Sequence, residues 1–284
     1  MDFFAFMIDF PAIMRYTVIM KTYQTTDFNY LHSKTEDPSS MTILDHIHSG
    51  YEFLYFLDGN ADYAINASVY PMKKRDFLLI HPGEYHHLIP NNSSPYERIC
   101  IHFSPSIVPK AFQKDIETLK SVYHIHKYSA IDNIFSMLLD AEYNNGYSES
   151  DIVYLIQQHL GVILTHLKYL QDETDIAPIE SNELINNVLN YIDENITQPI
   201  NVETLSQTFF KSPSSLAHSF SSIMHFPLQH YITSKKIIYA QMLIRQGVSP
   251  TSVALQLSFK DYSTFFKAYK RVLGKSPMSD RPQA

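Results

Sequence analysis

Two Ser-Pro pairs, Ser212-Pro213 and Ser249-Pro250, each head a segment with helical apolar spacing, and they constrain the C-terminal third more tightly than any other feature. A serine hydroxyl caps the first free N–H groups of a helix. Proline fits the next position, where a missing N–H leaves nothing unpaired. The first pair is followed by Leu216 and Phe220 on the inward side, the second by Val253, Ala254 and Leu257. Asn201 caps a preceding helix with Val202, Leu205 and Phe209 inward and Glu203 in its first turn. Phe259 and Asp261 lead into a last helix carrying Phe265, Tyr269, Val272 and Leu273. Gly274 ends that helix, where a left-handed residue is needed. Leu228, Ile232, Ala240, Leu243 and Ile244 define one long helix between the pairs. Twice, then, a short helix is followed by a tight turn and a second helix, which predicts two helix-turn-helix units.

The charge distribution agrees. The chain of 284 residues has a net charge of −7, but residues 1–181 carry −11 and residues 182–284 carry +4. Binding to phosphates depends on the local field, so the C-terminal part is the expected partner of double-stranded DNA.

The segments NVETLSQTFFKSPSSLAHSFSSIMHF (201–226), YITSKKIIYAQMLI (231–244) and SPTSVALQLSFKDYSTFFKAYKRVLGKSP (249–277) together resemble the DNA-binding domain of AraC/XylS-family transcription regulators. The resemblance implies that both second helices enter successive segments of the major groove. On the first it places Ser214, Ala217 and His218 toward the bases, and on the second Tyr262, Ser263 and Lys267. Lys267 suits guanine O6/N7. Lys260, Lys270, Arg271 and Lys275 suit phosphate contacts, which position without reading sequence. Outside such a double motif the same cations would read as a solvated helix face. The first unit departs from the family: Ser221-Ser222 replace a basic pair and His225 replaces a glycine, so weaker binding by this unit is expected. Ser258 likewise stands where glycine is common in the second.

The N-terminal half has a different grammar. Between Thr42 and Phe103, short β-rich runs (Tyr51 to Leu57, Ala61 to Val69, Phe77 to Ile80) alternate with turn residues such as Asp58-Gly59-Asn60 and Pro82-Gly83, which predicts a β-sandwich or small barrel. Helical spacing follows in Ile131, Ile134, Phe135, Leu138 and Leu139, then in Ile152, Leu155, Ile156, His159, Val162, Ile163, His166, Leu167 and Leu170. That second stripe serves either domain packing or a homodimer seam. The expected organisation is α+β: a barrel with an N-terminal arm over 1–105, a helical dimerisation segment over 106–172, a linker over 173–181 and the DNA-binding domain over 182–284.

Residues 45–90 resemble a cupin jelly roll, the sensor domain of many AraC/XylS members. His46, His48, Glu52 and Gly59 follow the first cupin motif, and Pro82-Gly83 with His86 follows the second. Metal-dependent cupins use those three histidines and the glutamate as ligands, yet here the second motif is imperfect, with Arg75, His81 and Pro90 at substituted positions. The expected role of His46, His48, Glu52, His81 and His86, with Tyr55 and Tyr63, is therefore to line a pocket for a polar small-molecule effector such as a sugar, without a cofactor. The alternatives are a metal-dependent cupin enzyme or a metal-sensing regulator using His46, His48, Glu52 and His86.

A single cysteine, Cys100, excludes an intrachain disulfide. The apolar opening Met1 to Met20 contains Asp2, Asp9, Pro11 and Arg15, which argues against a leader or membrane span. A cytoplasmic, ligand-responsive regulator, an activator by family resemblance and not an enzyme, is the expectation.

Overall fold

The computed structural model describes residues 17–25, 27–38, 47–127, 129–144, 146–170 and 176–282. Two antiparallel sheets form a sandwich. The six-stranded sheet has the order β1 (Thr17–Gln24), β2 (Phe28–Thr35), β8 (Tyr96–Phe103), β3 (Tyr51–Asp58), β6 (Asp76–Ile80), β9 (Val122–His124). The four-stranded sheet runs β10 (Glu180–Ser181), β5 (Ser68–Pro71), β4 (Ala61–Ile65), β7 (His86–Pro90).

Side chains alternate across a strand, and β3 uses both faces. Leu54 and Phe56 meet Tyr63, Ile65 and Leu88 inside the sandwich. Phe53 and Tyr55 face the other way, onto a helical layer of α1 (Ala130–Tyr143) and α2 (Glu149–Leu170), against Ile131, Phe135, Leu160 and Leu164. Burial on both sides explains why β3 reads as a nearly unbroken apolar run.

Two placements differ from expectation. Among the described residues, helical structure between Pro105 and the start of α1 at Ala130 is limited to three 3₁₀ turns, and β9 intervenes, pairing Tyr123 with Phe77. Pro105 and Pro109 interrupt any longer helix there. The segment expected as a linker contributes β10, whose Glu180 and Ser181 pair with Val69 and Ser68. On α2 the buried stripe is Ile152, Ile156, Leu160, Ile163, Leu164 and Leu167, while Val162 is exposed.

The C-terminal helices are α3 (Glu183–Glu194), α4 (Val202–Thr208), α5 (Pro213–Met224), α6 (Leu228–Arg245), α7 (Pro250–Gln256) and α8 (Tyr262–Leu273). The caps are those expected from sequence. Asn201 accepts from Thr204 N at 2.8 Å in a reciprocal capping box, Ser212 and Ser249 accept from Ser215 N and Ser252 N, and Asp261 accepts from Thr264 N at 2.7 Å. Helix α6 joins two cores: Leu228, Tyr231 and Ile232 pack with α3, α4 and α5, and Ile237, Ala240 and Ile244 pack with α7 and α8. That double duty buries α6 on nearly every side.

Each short turn contains a left-handed residue that is not glycine: Phe210 at φ 52° and Ser258 at φ 58°, while His225 at φ 51° ends α5. Phe210 is also 94% exposed, so its ring contributes almost no packing to offset the strain. Phe210→Gly is therefore expected to raise stability toward urea by about 1 kcal/mol. Destabilisation would show that the ring, not the backbone, dominates at this position.

Candidate DNA-binding surface and sensor site

The two helices expected to read DNA are α5 and α8. On α5, Ser214 and His218 are exposed and Ala217 is half-buried; on α8, Tyr262, Ser263 and Lys267 are exposed. Lys260, Lys270 and Arg271 are exposed beside them. Lys275 departs from its expected role, because its Nζ lies 3.0 Å from Asp280 Oδ1 and its charge is engaged within the domain. Asp280, buried, also accepts from Gln241 Nε2 (2.9 Å), Arg245 Nε (3.0 Å) and Tyr269 Oη (2.8 Å). It ties α8 to α6. Nothing local in the sequence marks it, since its partners lie up to 39 residues away.

A second pair of cations also turns inward. Lys236 Nζ donates to Gln198 O and Leu257 O at 2.9 Å, and burial pulls its pKa down. Lys235 Nζ pairs with Asp193 at 2.7 Å and donates to Gly83 O, in the sandwich, at 3.1 Å.

Inside the sandwich, Glu52 on β3 is the centre of the polar cluster. Its Oε2 lies 3.1 Å from Nε2 of each of three histidines: His48, His86 on β7, and His102 on β8. Burial alone would raise the Glu52 pKa, but His102, His48 and His86 outweigh it and hold the carboxyl well below its usual range. Burial pulls His48 down to about 4, against the opposing pull of Glu52. Tyr63 lies nearly parallel to His86, with ring centroids 6.2 Å apart.

Of the residues expected at this site, His48, Glu52, Tyr63 and His86 come together. His46 lies outside the described residues. Tyr55 and His81 are elsewhere, which corrects the sequence reading. Tyr55 stands three residues from Glu52, hence on the opposite face of β3, where its hydroxyl donates to Asp132 at 2.7 Å and its ring stacks on Phe135. His81 is held by Glu84 Oε2 at 3.2 Å and Ile116 O at 3.0 Å. His102 was missed. The signal was available in the alternation of β8, where Arg98, Cys100 and His102 share a face and His102 pairs across the ladder with Glu52.

The turn that carries His86 also touches the DNA-binding helices. Tyr85 is buried in the core built by α3, α5 and α6, with its ring 6.1 Å from that of Phe226, and His87 lies 6.4 Å from His225. Alternation sends His86 toward Glu52 and its two neighbours toward the other domain.

Two helix-turn-helix units sharing one helix, joined to a β-sandwich with a polar centre, define a DNA-binding transcription regulator with a sensor domain. The chain belongs to the AraC/XylS family: residues 39–157 match the AraC-like ligand binding domain and residues 205–283 match a helix-turn-helix domain. It is 29% identical over 116 residues to YkgA of Escherichia coli, named as an HTH-type transcriptional regulator, covering 40% of this chain and 48% of that protein. The chain thus spans about half the length of that relative. It is 22% identical over 226 residues to the HTH-type transcriptional regulator YbfI of Bacillus subtilis (77% of this chain, 80% of the relative). It is 25% identical over 100 residues to the regulatory protein SoxS of Salmonella typhimurium (35% and 94%). These relatives are named as regulators, not enzymes. No helix among the described residues is long and apolar enough to cross a membrane.

Proposed function

We propose that this chain is a ligand-responsive, sequence-specific transcription activator that works as a homodimer. The observation that carries the DNA reading is the pair of capped, outward-facing helices α5 and α8, with Lys260, Lys267, Lys270 and Arg271 exposed on or beside α8. In this reading Ser214, Ala217, His218, Tyr262, Ser263 and Lys267 face base edges, and the remaining cations hold phosphates. The dimer reading is supported by α2, which exposes Tyr154, Val162 and Tyr169 at intervals of eight and seven residues along one side. The effector acts on the sandwich, and the 82–87 turn transmits its effect because it packs on both domains. Activation as the sign of regulation follows the family resemblance.

Titration of the full chain with operator DNA tests the reading, after capture of genomic fragments has supplied the operator. Discrete sites with half-sites about one helical turn apart are expected. Lys267→Ala should lose discrimination at one base position, whereas Lys270→Ala should weaken all sequences alike and reduce the salt slope by about one. Equal discrimination in the first variant and an unchanged slope in the second would refute both roles.

A further inference from the structure

The face of the six-stranded sheet that packs on α1 holds a cavity of about 290 Å³ at one end, near the lower limit for small-ligand sites. Three neighbouring strands build it. The C-terminal end of β3 supplies Leu57 and Asp58, and β8 supplies Glu97, which pairs with Asp58 across the ladder. The turn before β6 supplies Lys74 and Arg75. Because β3 lies between β8 and β6, Glu97 and the two cations stand on opposite sides, with Asp58 on the middle strand. Helix α1 covers the cavity with Asp132, Ser136 and Leu139, whose spacing of four and three residues puts them on one face.

Arg75 is the unusual member. Its φ of 75° is left-handed, a conformation that L side chains rarely adopt, and the second cupin motif has glycine at this place. Glycine would remove the strain and the guanidinium together, and backbone strain of this kind collects at binding sites. An arginine that served only to hold a carboxylate would meet it best through two parallel bonds. Here Nε alone reaches Asp132 Oδ1, at 3.0 Å, and that oxygen also accepts from Tyr55 Oη at 2.7 Å. Among the described residues nothing bonds the two Nη atoms or the exposed Lys74 ammonium. Across the cavity, Glu97 engages His32 through Oε1 at 2.9 Å, and Asp58 accepts from Gly59 N through Oδ1 at 3.0 Å. One oxygen of each carboxylate is left for a ligand.

We propose that this cavity binds a free α-amino acid, its carboxylate on Arg75 and Lys74 and its ammonium on Asp58 and Glu97. A simple anion would face the two carboxylates, and a simple cation would face the two bases, at short range in either case. A zwitterion satisfies both sides at once. Leu57 and Leu139 supply apolar contact for its side chain, and the Ser136 hydroxyl offers one further hydrogen bond. The site lies outside the sandwich interior and shares no residue with the Glu52 cluster. Strand β6 runs from Arg75 to the 82–87 turn, so occupancy at one end bears on the packing of Tyr85 against the DNA-binding helices at the other. That role as effector site rests on the regulator reading; the site itself does not.

The test is a thermal-shift screen of the full chain against each of the twenty free α-amino acids, then calorimetric titration of those that raise the midpoint. At least one is expected to bind one per chain, and its amide and its N-acetyl derivative at least about tenfold more weakly. Lys74→Gln and Asp58→Asn, both at exposed positions, should each weaken binding at least about threefold. Arg75→Gly should abolish binding while relieving the backbone. No amino acid bound, or both derivatives bound as well as the parent, overturns the proposal. Binding unchanged in all three variants puts the ligand elsewhere and overturns it too. The amino acid found is then added to the operator titration, where it should change DNA affinity. An unchanged affinity overturns its role as effector and leaves the site standing. Absence of operator binding with and without it would instead refute the regulator reading.

Discussion

Asp280→Ala is expected to destabilise the C-terminal domain by about 3–5 kcal/mol, although Asp280 lies only two residues before Pro282, the last described residue. The carboxylate collects Gln241, Arg245, Tyr269 and Lys275, and its removal leaves two cations and two neutral donors without their buried partner. Burial by itself would raise the Asp280 pKa, but these donors outweigh it and hold it below the usual value. A depressed carboxylate contributes stability above its unfolded pKa, and that contribution is lost as pH falls through the folded value. Urea unfolding near neutral pH checks the magnitude, and its decline in acid checks the sign. Because Tyr269 is on α8 and Gln241 and Arg245 are on α6, the variant should also bind operator at least about tenfold more weakly. A loss of less than about 1 kcal/mol would mean that the four donors find other partners.

His32→Ala should have a comparable effect in the N-terminal half. His32 is fully buried, with Nδ1 2.6 Å from Glu142 Oε2 and Nε2 2.9 Å from Glu97 Oε1, and Tyr30 donates to Glu142 as well. Both ring nitrogens face carboxylates, so the ring is held as the imidazolium. Burial opposes the charge, but the hydrogen bonds to Glu142 and Glu97 outweigh it and raise the pKa above its ordinary value. The contribution of this cluster to stability is therefore full below about pH 6.5 and is lost as pH rises through the raised folded value. Alanine leaves the buried Glu142 carboxylate uncompensated and should cost about 3–5 kcal/mol. Thermal unfolding of both proteins across that pH range is the check. If the wild type loses no more stability than the variant as pH rises, His32 is not charged in the fold.

The C-terminal domain was the more legible half because its signals are local. Asn201, Ser212, Ser249 and Asp261 each bond a backbone N–H three residues on, so the sequence shows cap and helix together. The inward residues of α5 and α8 follow from the helical repeat alone. In the sandwich the central strands β3, β4 and β6 were legible from their turns, but which side chains share a pocket depends on face and pairing. Counting along β3 separates Tyr55 from Glu52. Only the ladder between β3 and β8 sets His102 opposite Glu52, 50 residues away.

The sequence by itself determined the two helix-turn-helix units, the strands β3, β4 and β6 and the class of regulator, since capping and periodicity act over three to seven residues. The tertiary structure decided which charges are spent inside. Lys275 and Lys235 serve ion pairs rather than solvent, Asp280 and His32 become buried hubs, and three histidines meet one carboxylate oxygen. The physical reason is that the energy of a charge depends on its burial and on partners brought together by folding, and neither is a property of neighbours along the chain.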